Sequence, residues 1–122
     1  MNQTAKALKA FFGSFDIPAY VTDNIPDNVS MPYITYDLIE PKRFTKGMFN
    51  ASVWYRDTDV DAISKKVDEI KAAIGDFVSL KTESGAVHIY PEREGSFCQI
   101  RNDPNRETKR AYLSMVIIAN TD

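Results

Sequence analysis

Two hydrophobic periods organise the middle of this chain. In residues 51–56, Ala51, Val53 and Tyr55 alternate with Ser52, Trp54 and Arg56, the two-residue repeat of a strand with unlike faces. Asp57, Thr58 and Asp59 then offer side-chain oxygens to the open N–H groups of a helix start. Ile63, Val67, Ile70, Ile74 and Phe77 follow at steps of four, three, four and three, which places them on one helical stripe. Lys65, Lys66, Asp68, Glu69 and Lys71 fill the polar side, where Lys66 is expected to be solvated and dispensable. Gly75 closes the helix as a left-handed cap would. One face of this helix is built for packing, and the other carries no reactive set.

The same reading extends along the chain. Residues 4–12 set Ala5, Leu8, Phe11 and Phe12 on one side of a short helix ended by Gly13. Residues 17–21 are a short extended piece, and a loop rich in Asp, Asn, Pro and Ser spans 22–31. Residues 33–39 put Tyr33, Thr35, Asp37 and Ile39 on one strand face and Ile34, Tyr36 and Leu38 on the other; with residues 48–56 they are expected to form an antiparallel hairpin. Residues 86–90 and 96–101 are expected to form a second hairpin around Pro91-Glu92-Arg93-Glu94-Gly95, with a further short strand at 78–81. The longest strand, 109–119, carries Ala111, Leu113, Met115, Ile117 and Ala119 on one face and Tyr112, Ser114, Val116 and Ile118 on the other. These elements predict one α+β domain over residues 1–122, a mostly antiparallel sheet of about four to five strands with two helices packed on one face. Leu113 or Met115 is expected to join the helical stripe in the main core.

Composition narrows the chemistry. With 122 residues, 43% hydrophobic and 26% charged, the chain can bury a core without disulfides, and Cys98, its one cysteine, excludes an intrachain bridge. A net charge of −2 argues against a dedicated nucleic-acid binder. The N-terminal amphipathic pattern is not a signal segment, and no run is long enough to span a membrane, so an intracellular product without membrane contact is expected. The sequence holds no phosphate loop, dinucleotide fingerprint, nucleophile elbow or paired-histidine motif. His88 and Cys98 occupy alternating strand positions, which assigns both to structure. The run Asp57-x-Asp59-x-Asp61 fails as a calcium loop, because Ala62 stands where a glycine must turn and Asp68 is too short at the twelfth position. No catalytic residue, cofactor or metal site is therefore expected, and the chain reads as a non-enzyme.

What remains are contact candidates. Lys42, Arg43, Phe44 and Lys46 share one connection, and Arg106, Lys109 and Arg110 flank the last strand. Either cluster serves solubility alone, or meets an acidic partner or a phosphate backbone. Tyr36 and Trp54 lie opposite the expected core sides of their strands, and Val116 and Ile118 make the last strand apolar on both faces. These four are the candidate subunit interface, pointing to a homo-oligomer.

Several strings, in this order, resemble the tail terminator (tail completion) proteins of long-tailed bacteriophages. They are an N-terminal helix, Ile17-Pro18-Ala19-Tyr20, Met31-Pro32-Tyr33-Ile34-Thr35-Tyr36, Ala51-Ser52-Val53-Trp54-Tyr55-Arg56 with its helix, Gly95-Ser96-Phe97-Cys98-Gln99, and Lys109-Arg110-Ala111-Tyr112-Leu113. The resemblance implies a non-enzymatic virion protein, made in the host bacterial cytoplasm. It would form a hexameric ring that caps the tail tube, ends its polymerisation and presents the surface for head–tail joining. Its implied partners are the tail tube protein, the head–tail connector protein and, transiently, DNA in the lumen. Two alternatives stay open: another neck component, either a head-completion or a minor capsid protein, and a small ferredoxin-like ligand-binding domain using His88, Tyr90 and Arg101.

Overall fold

The computed structural model describes residues 3–42, 44–56, 60–103 and 107–120. The chain runs α1 (Gln3–Phe12), β1 (Ala19–Val21), β2 (Tyr33–Tyr36), β3 (Lys46–Arg56), α2 (Val60–Ile74), β4 (Val78–Thr82), β5 (Gly85–Pro91), β6 (Cys98–Asp103) and β7 (Thr108–Asn120). The expected sheet of about four to five antiparallel strands is thereby corrected. Seven strands form one mixed sheet, curled into a half-barrel, although the architecture stays α+β. Its order is β1-β2-β3-β7-β5-β4, with β6 also on β7.

Three local events account for the difference. Residues 17–21 add a parallel strand beside β2, with Ala19 opposite Ile34, and the connection 22–32 makes the crossover that parallel pairing requires. The first hairpin forms in the expected register, Tyr33 opposite Trp54. Its first strand ends early, because the Asp37 carboxylate takes the Thr22 hydroxyl at 3.0 Å and the Asn50 N–H at 3.2 Å. The second expected hairpin does not exist. β4 and β5 pair around Glu83 and Ser84, while β5 and β6 both pair with β7. β7 is long enough to hold them end to end along one edge. Pro91 faces Met115 and Cys98 faces Leu113, so residues 92–97 bridge over Ser114 alone. Ser114 accepts the Glu92 N–H at 3.0 Å and donates to the Phe97 carbonyl at 2.8 Å, so the excursion costs no backbone hydrogen bond.

The core lies between the inner sheet face and the helices. Ile63, Val67, Ile70 and Ile74 of α2 are buried with Leu113 and Met115, as their spacing predicts. Gly75, at φ +59°, donates its N–H to the Lys71 carbonyl at 2.9 Å and closes α2 in the left-handed conformation that glycine adopts without penalty. Phe77 lies beyond that cap and is exposed rather than part of the stripe. The capping residues Asp57, Thr58 and Asp59 lie outside the described residues.

α1 packs against both β1 and β4, the two ends of the sheet order, so the sheet curls around it. Gln3 Oε1 fastens one end by accepting the Ser84 N–H at 2.8 Å. Phe11, Phe12, Phe15, Tyr36 and Phe49 build the aromatic part of the core, with Phe12 stacked on Tyr36 at 4.8 Å. Lys66 corrects a second expectation. It is buried, and its ammonium donates to the Phe15 carbonyl at 2.7 Å and to Glu69 at 2.9 Å, tying α2 to the segment that follows α1.

Candidate functional site

Both helices pack on the concave side, which leaves the convex face of the sheet uncovered. Alternation decides which side chains stand on it, and strand register decides which of them meet. Tyr33 (β2), Trp54 (β3), Arg110 (β7) and Arg101 (β6) form one cross-strand row. Thr35, Ser52, Tyr112 and Gln99 form the next. Further along, Met48, Val116 and Tyr90 make an apolar row, and Lys46, Ile118, His88 and Ser79 the row beyond.

The first two rows interlock. Arg110 sits with its guanidinium 4.2 Å from the Trp54 ring centre and 3.8 Å from that of Tyr112. Tyr33 stacks on the other side of Trp54 at 6.0 Å, and Arg101 lies over Tyr112 at 5.4 Å. Hydroxyls fix the arrangement from below: Trp54 Nε1 donates to Thr35 Oγ1 and Arg110 Nε to Ser52 Oγ, both at 2.9 Å. Thr35 and Ser52 are themselves buried, so these two bonds satisfy polar atoms that water does not reach. Burial pulls the Arg110 pKa down, partly offset by Tyr112, Asp37 and Tyr33, while Arg101 adds to the drop. Beside this cluster, Val29, Ser30, Met31, Tyr33, Trp54, Arg56 and Thr108 line a cavity of about 290 Å³.

The predicted contact residues distribute unevenly over this surface. Trp54 and Arg110, taken from separate predicted clusters, are stacked together. Tyr36 is corrected: it shares a face with buried Ile34, is 3% exposed against Phe12, and offers nothing to a partner. Val116 is on the convex face but buried, at the floor of a groove of about 430 Å³ that also involves Met48, Tyr90 and Glu92. Ile118 is half-buried on the same face. Lys109 points to the helix side while its neighbour Arg110 points outward, as alternation requires. Lys42, Phe44 and Lys46 are exposed, with Phe44 at φ +59° and its N–H donated to the Ala119 carbonyl at 2.9 Å. Ile39, from the same connection, packs over Gly47, where an added Cβ would lie 3.0 Å from its Cδ1. Arg43 and Arg106 lie outside the described residues.

Tyr33 and Tyr112 were missed as site residues. Their alternation was legible, but their meeting depends on pairing the last strand with the first hairpin, which no single segment encodes. His88, Tyr90 and Arg101 do not converge. His88 faces Ile118 and Arg101 faces Arg110, roughly 26 Å apart along β7 at 3.3 Å per residue. Ser79 Oγ lies 2.6 Å from His88 Nδ1, but among the described residues no other hydrogen bond orients that imidazole. Burial pushes the Cys98 thiol pKa up, Asp68 raises it further and Lys71 opposes, so the sulfur is held as a poor nucleophile. Among the described residues no group of three or more His, Cys, Asp or Glu could hold a metal ion, and no helix is long and apolar enough to cross a membrane. The sequence matches no protein-family model, and no significant relative is found among curated proteins.

Proposed function

We propose that this chain is a structural subunit of a bacteriophage neck, assembling as a ring that caps the tail tube, ends its growth and offers the surface for head–tail joining. The observation that carries the assembly part is the contrast between a helix-covered concave face and an uncovered convex face that fixes Tyr33, Trp54, Arg110 and Tyr112 in a rigid array. Arginine and aromatic side chains are the residues from which protein contacts draw most of their energy. Met48, 67% exposed on the same face, and exposed Phe44 on the adjoining connection extend that surface with apolar area. The phage setting rests on the resemblance of the ordered strings in the sequence. The roughly 26 Å between His88 and Arg101 weighs against the ferredoxin-like ligand-binding alternative, because a pocket needs convergent groups.

Negative-stain imaging of the purified protein mixed with tail tubes tests the reading. Rings at one end of each tube are expected; a single copy at the end, or no binding, sinks it. Rings seated on capsid portals in place of tubes would transfer the protein to the other neck component.

A further inference from the structure

The convex face carries an electrostatic imbalance. Arg101 and Arg110 stand directly opposite each other on neighbouring strands, a like-charge pairing that destabilises a sheet. Arg56, exposed on the same face, adds a third guanidinium at that end. Among the described residues no carboxylate forms an ion pair with any of them; the pair formed is Lys66 with Glu69, on the far side of the sheet. Asp37 favours the charged form of Arg110 from a distance without forming an ion pair with it, its oxygens accepting from Thr22 and Asn50. Arg110 spends Nε on Ser52, which leaves its two terminal nitrogens as an outward fork. The clamp between Trp54 and Tyr112 holds that fork still, so little side-chain entropy remains to be lost on binding.

We propose that the Arg110–Arg101 pair is a docking site for an acidic segment of a partner protein, with a carboxylate received in bidentate fashion by the Arg110 fork. The inference rests on the assembly reading only for placing the partner in the particle. A nucleic acid fits less well. Both faces of Trp54 are already taken, by Tyr33 and by Arg110, so no indole face is left for a base. A guanidinium fork matches a carboxylate in plane and spacing, and two facing arginines, which Asp37 offsets only in part, supply the charge complementarity.

The chain's single tryptophan is Trp54, so its fluorescence reports on the site directly. Poly-L-glutamate and oligodeoxythymidylate are titrated separately into the intact protein at low and at physiological salt. Sedimentation velocity follows self-association in parallel. Poly-L-glutamate is expected to give a saturable change, with affinity falling about tenfold or more in Arg110→Gln, as loss of a charge-assisted hydrogen bond implies. Arg110→Lys, which keeps the charge but loses the fork, should fall between. If Arg110→Gln does not fold, as judged by circular dichroism, Arg101→Gln decides on the same criterion. Affinity within about twofold of wild type in the deciding variant overturns the proposal, as does absence of binding at millimolar probe. Arg110-dependent binding of oligodeoxythymidylate in preference to poly-L-glutamate would assign the face to nucleic acid and overturn it too. Arg110-dependent self-association without poly-L-glutamate binding would make a second copy the occupant, with the same consequence. Ring formation on tail tubes is scored independently, so loss of one result leaves the other standing.

Discussion

The two faces of this one sheet solve different problems. The concave face is apolar over most of its two longest strands. Phe49, Ala51 and Val53 on β3 face Met115, Leu113 and Ala111 on β7, flanked by Tyr55 and Ile117, all buried. Lys109, opposite Tyr55, is the polar exception at one end. The convex face interleaves arginines, aromatic rings and hydroxyls, and keeps buried hydrogen bonds beneath half-exposed rings. Burial of the first kind is additive and tolerant of exact geometry. The second depends on which side chains stand beside one another, because its contacts join Tyr33, Trp54, Arg110 and Tyr112 one by one across three strands. The inner face therefore serves stability, and the outer face holds a shape whose worth is realised against something else.

The largest break in that comparison comes from the inner face. Ile70→Ala should cost about 2–5 kcal/mol, the usual range when a fully buried aliphatic side chain leaves a cavity. A denaturant midpoint that hardly moves would show that α2 does not seal the core. Next comes Lys66→Ala. It strips the Phe15 carbonyl and Glu69 of a charged donor inside the protein, and should cost about 1.5–3 kcal/mol. Lys66→Met keeps most of the aliphatic stem and should recover only the packing share of that loss. Equal stability of wild type and Lys66→Ala would mean that the ammonium is solvated in solution, as the polar spacing around it suggests.

Lys66 also marks the limit of what the sequence can say. The α2 stripe, the first hairpin and the two faces of β7 are readable because each is a pattern within one segment. Burial of Lys66 is not, since it is set by where Phe15 comes to rest, fifty-one positions earlier in the chain. The misplaced second hairpin has the same origin. Residues 91–95 carry ordinary turn chemistry, yet the edge of β7 outcompetes local pairing by offering β5 and β6 a continuous partner. Even the flip of the inward set from Val87 and Ile89 to Cys98 and Ile100 follows only once residues 92–97 are known to bridge a single position. Trp54 is legible as standing opposite the core side of its strand and Arg110 only as part of a basic cluster flanking the last strand; their stacking is a property of register between strands far apart in sequence.

On the outer face, Trp54→Ala removes the Arg110 contact and leaves the buried Thr35 hydroxyl without its donor, and should cost roughly 1–3 kcal/mol with the fold intact. A loss matching that of Ile70→Ala would show that the convex array is a second core. Smaller still is an alkaline effect from the buried side. Burial raises the Tyr36 pKa above its ordinary 10.0 and that of Cys98 above 9.0. In both cases the folded state holds its proton longer than the unfolded chain. Their stabilising contribution is thus complete below the ordinary values and is lost as pH rises through the folded ones. Tyr36→Phe should flatten the fall in melting temperature above pH 10.0, and Cys98→Ala the part that begins near 9.0. Unchanged slopes in both variants would mean that neither group is shielded.

The smallest expected change in stability falls on the connection carrying Lys42, Arg43, Phe44 and Lys46. Its fold-holding work is done by Ile39 packed over Gly47 and by the Phe44 N–H on the Ala119 carbonyl, none of which uses a lysine side chain. Exposed Lys42 and Lys46 therefore spend their charge on solvent or on a partner. Replacing exposed Lys42 and Lys46, together with Arg43, by Ser is expected to shift stability by less than about 0.5 kcal/mol. If the connection docks the head or lines the lumen, the same variant should leave unjoined heads and tails in lysates and lower the infectious fraction of particles. Wild-type infectivity would reduce the three cations to a solubilising role and leave the convex face as the remaining contact surface to be sought.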